Sequence, residues 1–306
     1  MERVRLMTWC RSCVGGVQLP AFAAAEGGLF AEQGLEVEFV ECARATDYTL
    51  AGFAVRPKAV ASGYADFAFT AVPYVLAAQT ELGGRLEARF AAVSHQRNPI
   101  AAVVRADSGF ESPADLEGSR AARWSMPWFA QEYVGAMSFM GLDPSVLVDG
   151  PDGPDAQLER GEVDVIPTWM DMTLHHVDKG YAMRSIPLDI ETYSTGLLAA
   201  DRLPLELVTR MCDAFAAGHQ LQLEQPELGI AAFRRRFPEI SEQHIHDNWA
   251  LYEPYAFECG SPGAMHADRW ETTIAHTAAT HGLAPFAAEQ VYRPELLAPA
   301  FEYAAA

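Results

Sequence analysis

Apolar and polar positions alternate between two rhythms along most of the chain. Val4–Trp9 and Leu35–Val40 repeat with the two-residue period of a half-buried strand. Leu19–Gln33, an apolar stretch closed by Gly34, and Tyr48–Ser62 carry helical spacing. Asp66–Thr70 predicts a strand. The helix after it opens near Pro73, where a proline is tolerated because its missing N–H would have no helical partner. Leu86–Val93 and Ile100–Arg105 predict strands on either side of His95-Gln96-Arg97-Asn98-Pro99. A second series follows: strand Ser119–Trp124, helix Trp128–Met140, strand Val163–Pro167, helix Met170–Lys179 and strand Ala182–Ile186. From Pro204 onward the pattern is helical. Short strands joined by helices predict an α/β chain of mostly parallel sheets with helices on both faces.

One stretch is echoed. Ser62-Gly63-Tyr64-Ala65-Asp66-Phe67 recurs in form as Arg160-Gly161-Glu162-Val163-Asp164-Val165, a helix ending at glycine and a strand opening at aspartate. The spacing is far beyond that of a solenoid and fits two related α/β lobes. A length of 306 residues also fits about two domains.

Charge narrows the partners. A formal net charge of −19 opposes a polyanionic partner, and Arg234-Arg235-Arg236 is only one short basic spot, so no nucleic acid is expected. No apolar run is long enough to predict membrane insertion. Met1–Trp9 moves straight into a strand without a signal-like pattern, which predicts a cytoplasmic protein, or an exported one whose signal was removed. Cys10, Cys13, Cys42, Cys212 and Cys259 are an odd, dispersed set and suit a reducing compartment.

Several ordered motifs resemble those of a known group. Ala24-x-Glu26-x-Gly28-Leu29-Phe30-Ala31-Glu32-Gln33-Gly34-Leu35-Glu36-Val37 looks like the first-helix signature of type II periplasmic-binding proteins of the sulfonate, nitrate and thiamine-precursor type. The likeness continues at Ala61-Ser62-Gly63-x-x-Asp66-Phe67, at Arg105-Ala106-Asp107-Ser108-Gly109-Phe110-x-Ser112-Pro113-x-Asp115-Leu116-x-Gly118, at Gly161-Glu162-Val163-Asp164 and at Tyr193–Ala199. The resemblance spans roughly residues 4 to 240. It implies a two-lobed fold with a ligand cleft between the lobes: residues 1–93 plus 196–306 form one lobe and 98–190 the other, with crossovers near 94–97 and 191–195. The superfamily holds importer receptors. It also holds cytoplasmic enzymes: a dihydroxyphthalate decarboxylase group, a chorismate dehydratase, and a pyrimidine synthase whose Cys-rich, iron-associated run has no match here.

Ligands of parallel α/β sheets sit beyond the carboxyl ends of the strands. That rule selects Trp9, Cys10, Arg11, Ser12 and Cys13 after the first strand, Thr70, Ala71 and Tyr74 after the third, and His95 and Arg97 at the first crossover. The second lobe supplies Trp124, Ser125, Met126, Trp128 and Phe129, then Thr168, Trp169 and Asp171, and the second crossover adds Tyr193 and Thr195. Aromatic walls with a few hydroxyls and a cation suit a planar or cyclic carboxylate, because stacked rings bury apolar faces and a guanidinium grips an oxyanion with two N–H bonds. Arg11 and Arg97 are candidate anion clamps or surface ion-pair formers. Trp124, Trp128 and Trp169 are wall or core residues.

His95 is a proton-transfer group, with an ordinary pKa near 6.5, or a structural hinge residue. Cys10-x-x-Cys13 reads as a redox pair, half of a zinc site, a cleft proton donor or nucleophile at Cys10, or plain loop residues. Gly15-Gly16 argues against the first, and the lack of a second paired motif against the second. His244-x-His246 and His175-His176 read as surface. No phosphate-binding or dinucleotide motif, H-E-x-x-H or nucleophile elbow occurs, so neither cofactor nor metal is expected.

The function expected from these residues is a cofactor-independent lyase, decarboxylating or eliminating, acting on a cyclic or aromatic carboxylate. The alternatives are the substrate-binding component of an importer for a small anionic or heteroaromatic solute, with a permease as partner, and a cytoplasmic ligand sensor.

Overall fold

In the computed structural model, which describes residues 1–9, 16–45, 47–123, 126–150, 153–174, 180–258, 261–284 and 286–298, strand β1 (Glu2–Met7) buries Val4, Leu6 and Met7. It pairs in parallel with β2 (Leu35–Val40), from Glu2 opposite Leu35 to Met7 opposite Val40. On its other side lies β3 (Phe67–Ala71), also parallel. The neighbour of β3 is not β4 (Ala88–Val93) but β10 (Thr195–Ala200), which runs antiparallel to both and gives the order β2-β1-β3-β10-β4. Every residue of β3 and β10 is buried, and strands covered on both faces read as unbroken apolar runs.

The second sheet is centred on β5 (Ile100–Arg105), antiparallel to β8 (Ile166–Trp169) and to β9 (Met183–Pro187). A parallel pair, β6 (Arg120–Arg123) and β7 (Val146–Asp149), joins it through a bridge from Ala121 to Val165. Four-residue β7, Val146-Leu147-Val148-Asp149, has no fully buried position, and its apolar run is short enough that the sequence reading passed over it. The sheets are mixed rather than mostly parallel. The strands that run against their neighbours, β5 and β10, are those the chain reaches directly from a crossover between the sheets.

Two predicted helices prove to be broken. Leu19–Gln33 divides into α1 (Leu19–Glu26) and α2 (Leu29–Glu32), because Gly28 turns left-handed at φ 77°. Tyr48–Ser62 divides into α3 (Leu50–Phe53) and α4 (Val55–Ala61). Thr49 caps the first of these, its hydroxyl accepting the Gly52 N–H at 3.1 Å. Helix α5 (Val72–Glu81) carries Pro73 in its first turn, as expected. Helices α6 (Pro127–Phe139) and α7 (Pro154–Glu159) flank the second sheet. The C-terminal region supplies α8 (Leu205–Glu224), α9 (Pro226–Arg236), α10 (Glu242–Phe257) and α11 (Ala267–His281). Helices α1 and α8 approach so closely that a Cβ on Gly218 would lie 2.3 Å from the Pro20 carbonyl oxygen.

The sequence echo has a structural counterpart. Arg5 donates its backbone N–H to Asp66 at 2.8 Å and its guanidinium to the Gly63 carbonyl at 2.7 Å. Arg120 donates its backbone N–H to Asp164 at 2.9 Å and its guanidinium to the Gly161 carbonyl at 2.9 Å. In each sheet the same arginine–glycine–aspartate clasp ties a strand to the turn entering its neighbour.

The two crossovers run side by side. Ser94 N–H donates to Thr195 O at 2.8 Å and Asn98 N–H to Ile190 O at 3.2 Å. Helix α10 is strapped across both: Gln96 N–H donates to Tyr255 O at 2.7 Å, and the Tyr255 hydroxyl donates to Asp189 at 2.8 Å. Among the described residues, no helix is long and apolar enough to cross a membrane.

Candidate functional site

The carboxyl end of β1 delivers Thr8 and Trp9 to the space between the sheets. Their backbone is fixed there: Thr8 N–H donates to Val40 O at 3.1 Å and Trp9 N–H to Gln18 Oε1 at 2.8 Å. The segment after β2 adds Glu41, Cys42 and Arg44, the break between α3 and α4 adds Phe53 and Arg56, and α5 adds Tyr74. From the second sheet come Met126, Trp128 and Phe129 at the start of α6, and Trp169 at the end of β8. Arg236 and Phe237 close one side at the end of α9. Together they enclose a cavity of about 730 Å³, within the range that holds one small ligand.

Its wall is a continuous aromatic surface. Phe53 stacks on Tyr74 with ring centroids 4.8 Å apart, and Trp9 stacks on Tyr74 at 6.4 Å. Trp128 stacks on Phe129 at 3.9 Å and meets Trp169 edge-on at 5.4 Å. Trp9 and Trp169, one from each sheet, are 6.2 Å apart, so the aromatic surface bridges the two halves. Trp169 is oriented from behind, its Nε1 donating to the buried Glu132 carboxylate at 3.0 Å. Burial pushes the Tyr74 hydroxyl far above its ordinary range. Burial also raises the Cys42 thiol, against the opposing pull of Arg56. Both stay protonated at neutral pH. Asp47, at the cavity, is held below the usual carboxylate range by hydrogen bonds from Thr49.

Of the residues chosen from sequence, Trp9, Tyr74, Trp128, Phe129 and Trp169 lie on the cavity wall. Others lie elsewhere. His95 is buried against the second crossover with Nδ1 2.5 Å from Thr195 Oγ1, so His95 and Thr195 satisfy each other away from the cavity. Burial, reinforced by His219, lowers the His95 pKa to about 3. An imidazole that stays neutral at physiological pH and does not line the cavity is not placed to move a proton there. Arg97 is committed to Glu258 at 2.6 Å. Tyr193 packs on Trp270 at 5.0 Å in the core of the first sheet and accepts the His266 N–H at 2.8 Å. Thr70 and Thr168 are fully buried within their strands and do not line the cavity.

Cys10, Arg11, Ser12, Cys13, Trp124, Ser125, His175, His176 and Cys259 lie outside the described residues, as does the side chain of Asp171. His244 is buried rather than on the surface, while His246 is half-buried, beside Glu227 at 3.3 Å. Glu227, Glu242 and His246 bring their ligand atoms within 4.8 Å of one another, but Glu242 is already ion-paired with Arg234.

Sequence reasoning missed Phe53 and Arg56 because it drew one helix through Tyr48–Ser62. The signal that could have found them is Asp47-x-Thr49, a capping pair that starts a helix just before Phe53. It missed Cys42 and Arg44 because the segment after β2 was not among the strand ends considered.

Residues 17–228 match a family model described as NMT1/THI5 like. The periplasmic aliphatic sulphonate binding protein SsuA of Escherichia coli has a similar structure, with a TM-score of 0.68 and 14% identity, covering 100% of this chain and 97% of that one. The alkanesulfonate-binding protein SsuA of Xanthomonas axonopodis pv. citri, bound to MOPS, gives 0.60 and 13%, covering 98% and 99%. A variant of DSZB in complex with biphenyl-2-sulfinic acid gives 0.57 and 15%, covering 97% and 98%. No curated protein matches the sequence.

Proposed function

The chain belongs to the NMT1/THI5-like family, and from that premise we propose that it is a solute-binding component of an importer. In this reading the lobes of residues 1–93 with 196–306 and of 98–190 close on one small anionic or heteroaromatic solute. The solute is then released unchanged to a permease outside the cytoplasm. The observation that carries the proposal is the aromatic cavity of about 730 Å³ built jointly from both sheets, which stacks a planar solute and couples its arrival to the approach of the two halves. Neighbours in structure that are named as sulphonate-binding proteins support the same role, and one of them, named as periplasmic, supports the same compartment. The lyase expectation drew its proton-transfer group from His95 or Cys10: His95 pairs with Thr195 away from the cavity, and Cys10 lies outside the described residues.

Native mass spectrometry of gently purified protein, followed by denaturation and identification of the released compound, tests the proposal. Re-adding that compound should quench the fluorescence of Trp9, Trp128 and Trp169, and it should be recovered unchanged after prolonged incubation. Recovery of a product lighter by carbon dioxide or water would overturn the binding role in favour of a lyase.

A further inference from the structure

Arg56 is the cavity residue whose chemistry the wall leaves incomplete. It is 5% exposed, and its Cζ lies 4.8 Å from the ring centre of Phe53, 5.3 Å from Trp9 and 5.7 Å from Tyr74. Its Nε is buried without a hydrogen-bond partner, and among the described residues no carboxylate or carbonyl receives its guanidinium. The other buried arginines each give their guanidinium at least one carbonyl: Arg269 donates to Gln96 O at 2.6 Å, and Arg293, whose Nε is likewise unpartnered, donates to Ala200 O at 2.8 Å. Aromatic faces give a cation a diffuse negative potential but no acceptor for its N–H groups. A buried charge without a hydrogen-bonded counter-charge is among the costliest arrangements a protein can keep. It persists here facing a cavity.

We infer that Arg56 is the receptor for the ligand's anionic group, and that the ligand is an aryl oxyanion, a flat ring carrying one carboxylate, sulfinate or sulfonate. This rests on the solute-binding reading of the cavity and names the chemistry of its solute. The guanidinium offers two parallel N–H donors to the two oxygens of such a head group. The ring then finds Trp9, Tyr74, Trp128 and Trp169, a surface larger than an aliphatic chain would use. Glu41 and Asp47 line the same cavity, and so do Arg44 and Arg236, but among the cavity's arginines it is Arg56 that is buried against the aromatic wall. Cys42, beside Arg56, stays a neutral thiol and does not compete for the guanidinium.

Four probes test this by tryptophan fluorescence titration: benzoate, benzenesulfonate, neutral benzamide and methanesulfonate. The wild type should bind the two aryl anions at least roughly tenfold more tightly than benzamide or methanesulfonate. Arg56→Met should weaken benzoate roughly 10- to 100-fold, the worth of a hydrogen bond to a charged group, and leave benzamide unchanged. Arg56→Lys, which keeps the charge but not the fork, should fall between. A purely structural role for Arg56 predicts a lower melting temperature for Arg56→Met without ligand. The receptor role predicts one equal to or above wild type, since an unpaired buried charge has been removed. Equal binding of benzoate and benzamide by the wild type, or unchanged benzoate binding by Arg56→Met, would sink the assignment of Arg56 alone. Tighter binding of methanesulfonate than of the aryl anions would sink the aryl ring. Failure of all four probes would bring down the solute reading of the cavity, and this inference with it.

Discussion

Replacing Trp169 with phenylalanine separates the two jobs this side chain performs. The smaller ring can still pack against Trp128 and Phe129, whose centroids now lie 5.4 Å and 5.6 Å away. What disappears is the donor to Glu132, a carboxylate only 5% exposed, whose other oxygen is 3.9 Å from His281 Nε2. A hydrogen bond to a buried charge contributes about 2 kcal/mol. The shed indole atoms add about 1 kcal/mol of lost burial and cavity. The sum is roughly 3 kcal/mol. With an unfolding entropy of about 2 cal/mol/K per residue and 306 residues, it lowers Tm by roughly 5 °C. The assay is urea unfolding of wild type, Trp169→Phe, Glu132→Met and the double variant. With Glu132 already apolar, Trp169→Phe should cost only about 1 kcal/mol, leaving a coupling of about 2 kcal/mol. An equal cost of Trp169→Phe in both backgrounds would refute the claim that Glu132 holds this wall in place.

Three further outcomes follow from the packing. Burial lowers the pKa of His95 to about 3 and of His219 to about 4, so both are neutral when folded, whereas the unfolded chain protonates them below about 6.5. Stability that is complete above that pH is therefore lost as pH falls from about 6.5 toward 4, by about 2 kcal/mol per histidine between pH 7 and 5. Burial also lowers the pKa of His266 and His276; urea midpoints across that range measure the slope, and His219→Gln should remove about 2 kcal/mol of the total change between pH 7 and 5, whereas an unchanged slope would exclude His219. Gly218→Ala should destabilise by more than about 2 kcal/mol, because its Cβ meets the Pro20 carbonyl at 2.3 Å. Gly109→Ala, with open space around it, should change the melting temperature by less than a degree or two.

The elements most legible in the sequence are those with a clean period. Leu35–Val40 and Ile100–Arg105 are strands to the residue, because alternating or fully apolar runs bounded by glycine, proline or charge have one good solution. Breaks inside helical stretches were not legible, since Gly28 and the Thr49 cap act locally while the apolar spacing continues through them. The site divided along the same line. Trp9, Trp128 and Trp169 follow from the rule that ligands sit beyond strand ends. Arg56 sits inside a helical stretch, and only tertiary packing turns it into the cavity. His95 was misplaced for a related reason: a polar residue at a crossover has two directions to face, and the hydroxyl of Thr195, exactly 100 positions away in sequence, decides which.

The order β2-β1-β3-β10-β4 also sets a timetable for synthesis. When residue 93 has emerged from the ribosome, β3 and β4 are both available, yet they do not pair with each other. The slot between them belongs to β10, which appears only after the whole second sheet has been made. Until then two edges stand open, each offering unpaired N–H and C=O groups to any passing strand. A nascent chain stalled before Thr195 would carry those edges exposed. The six fully buried residues of β10 are thus the keystone that arrives late, and the first sheet owes its closure to a segment translated about a hundred residues after its neighbours.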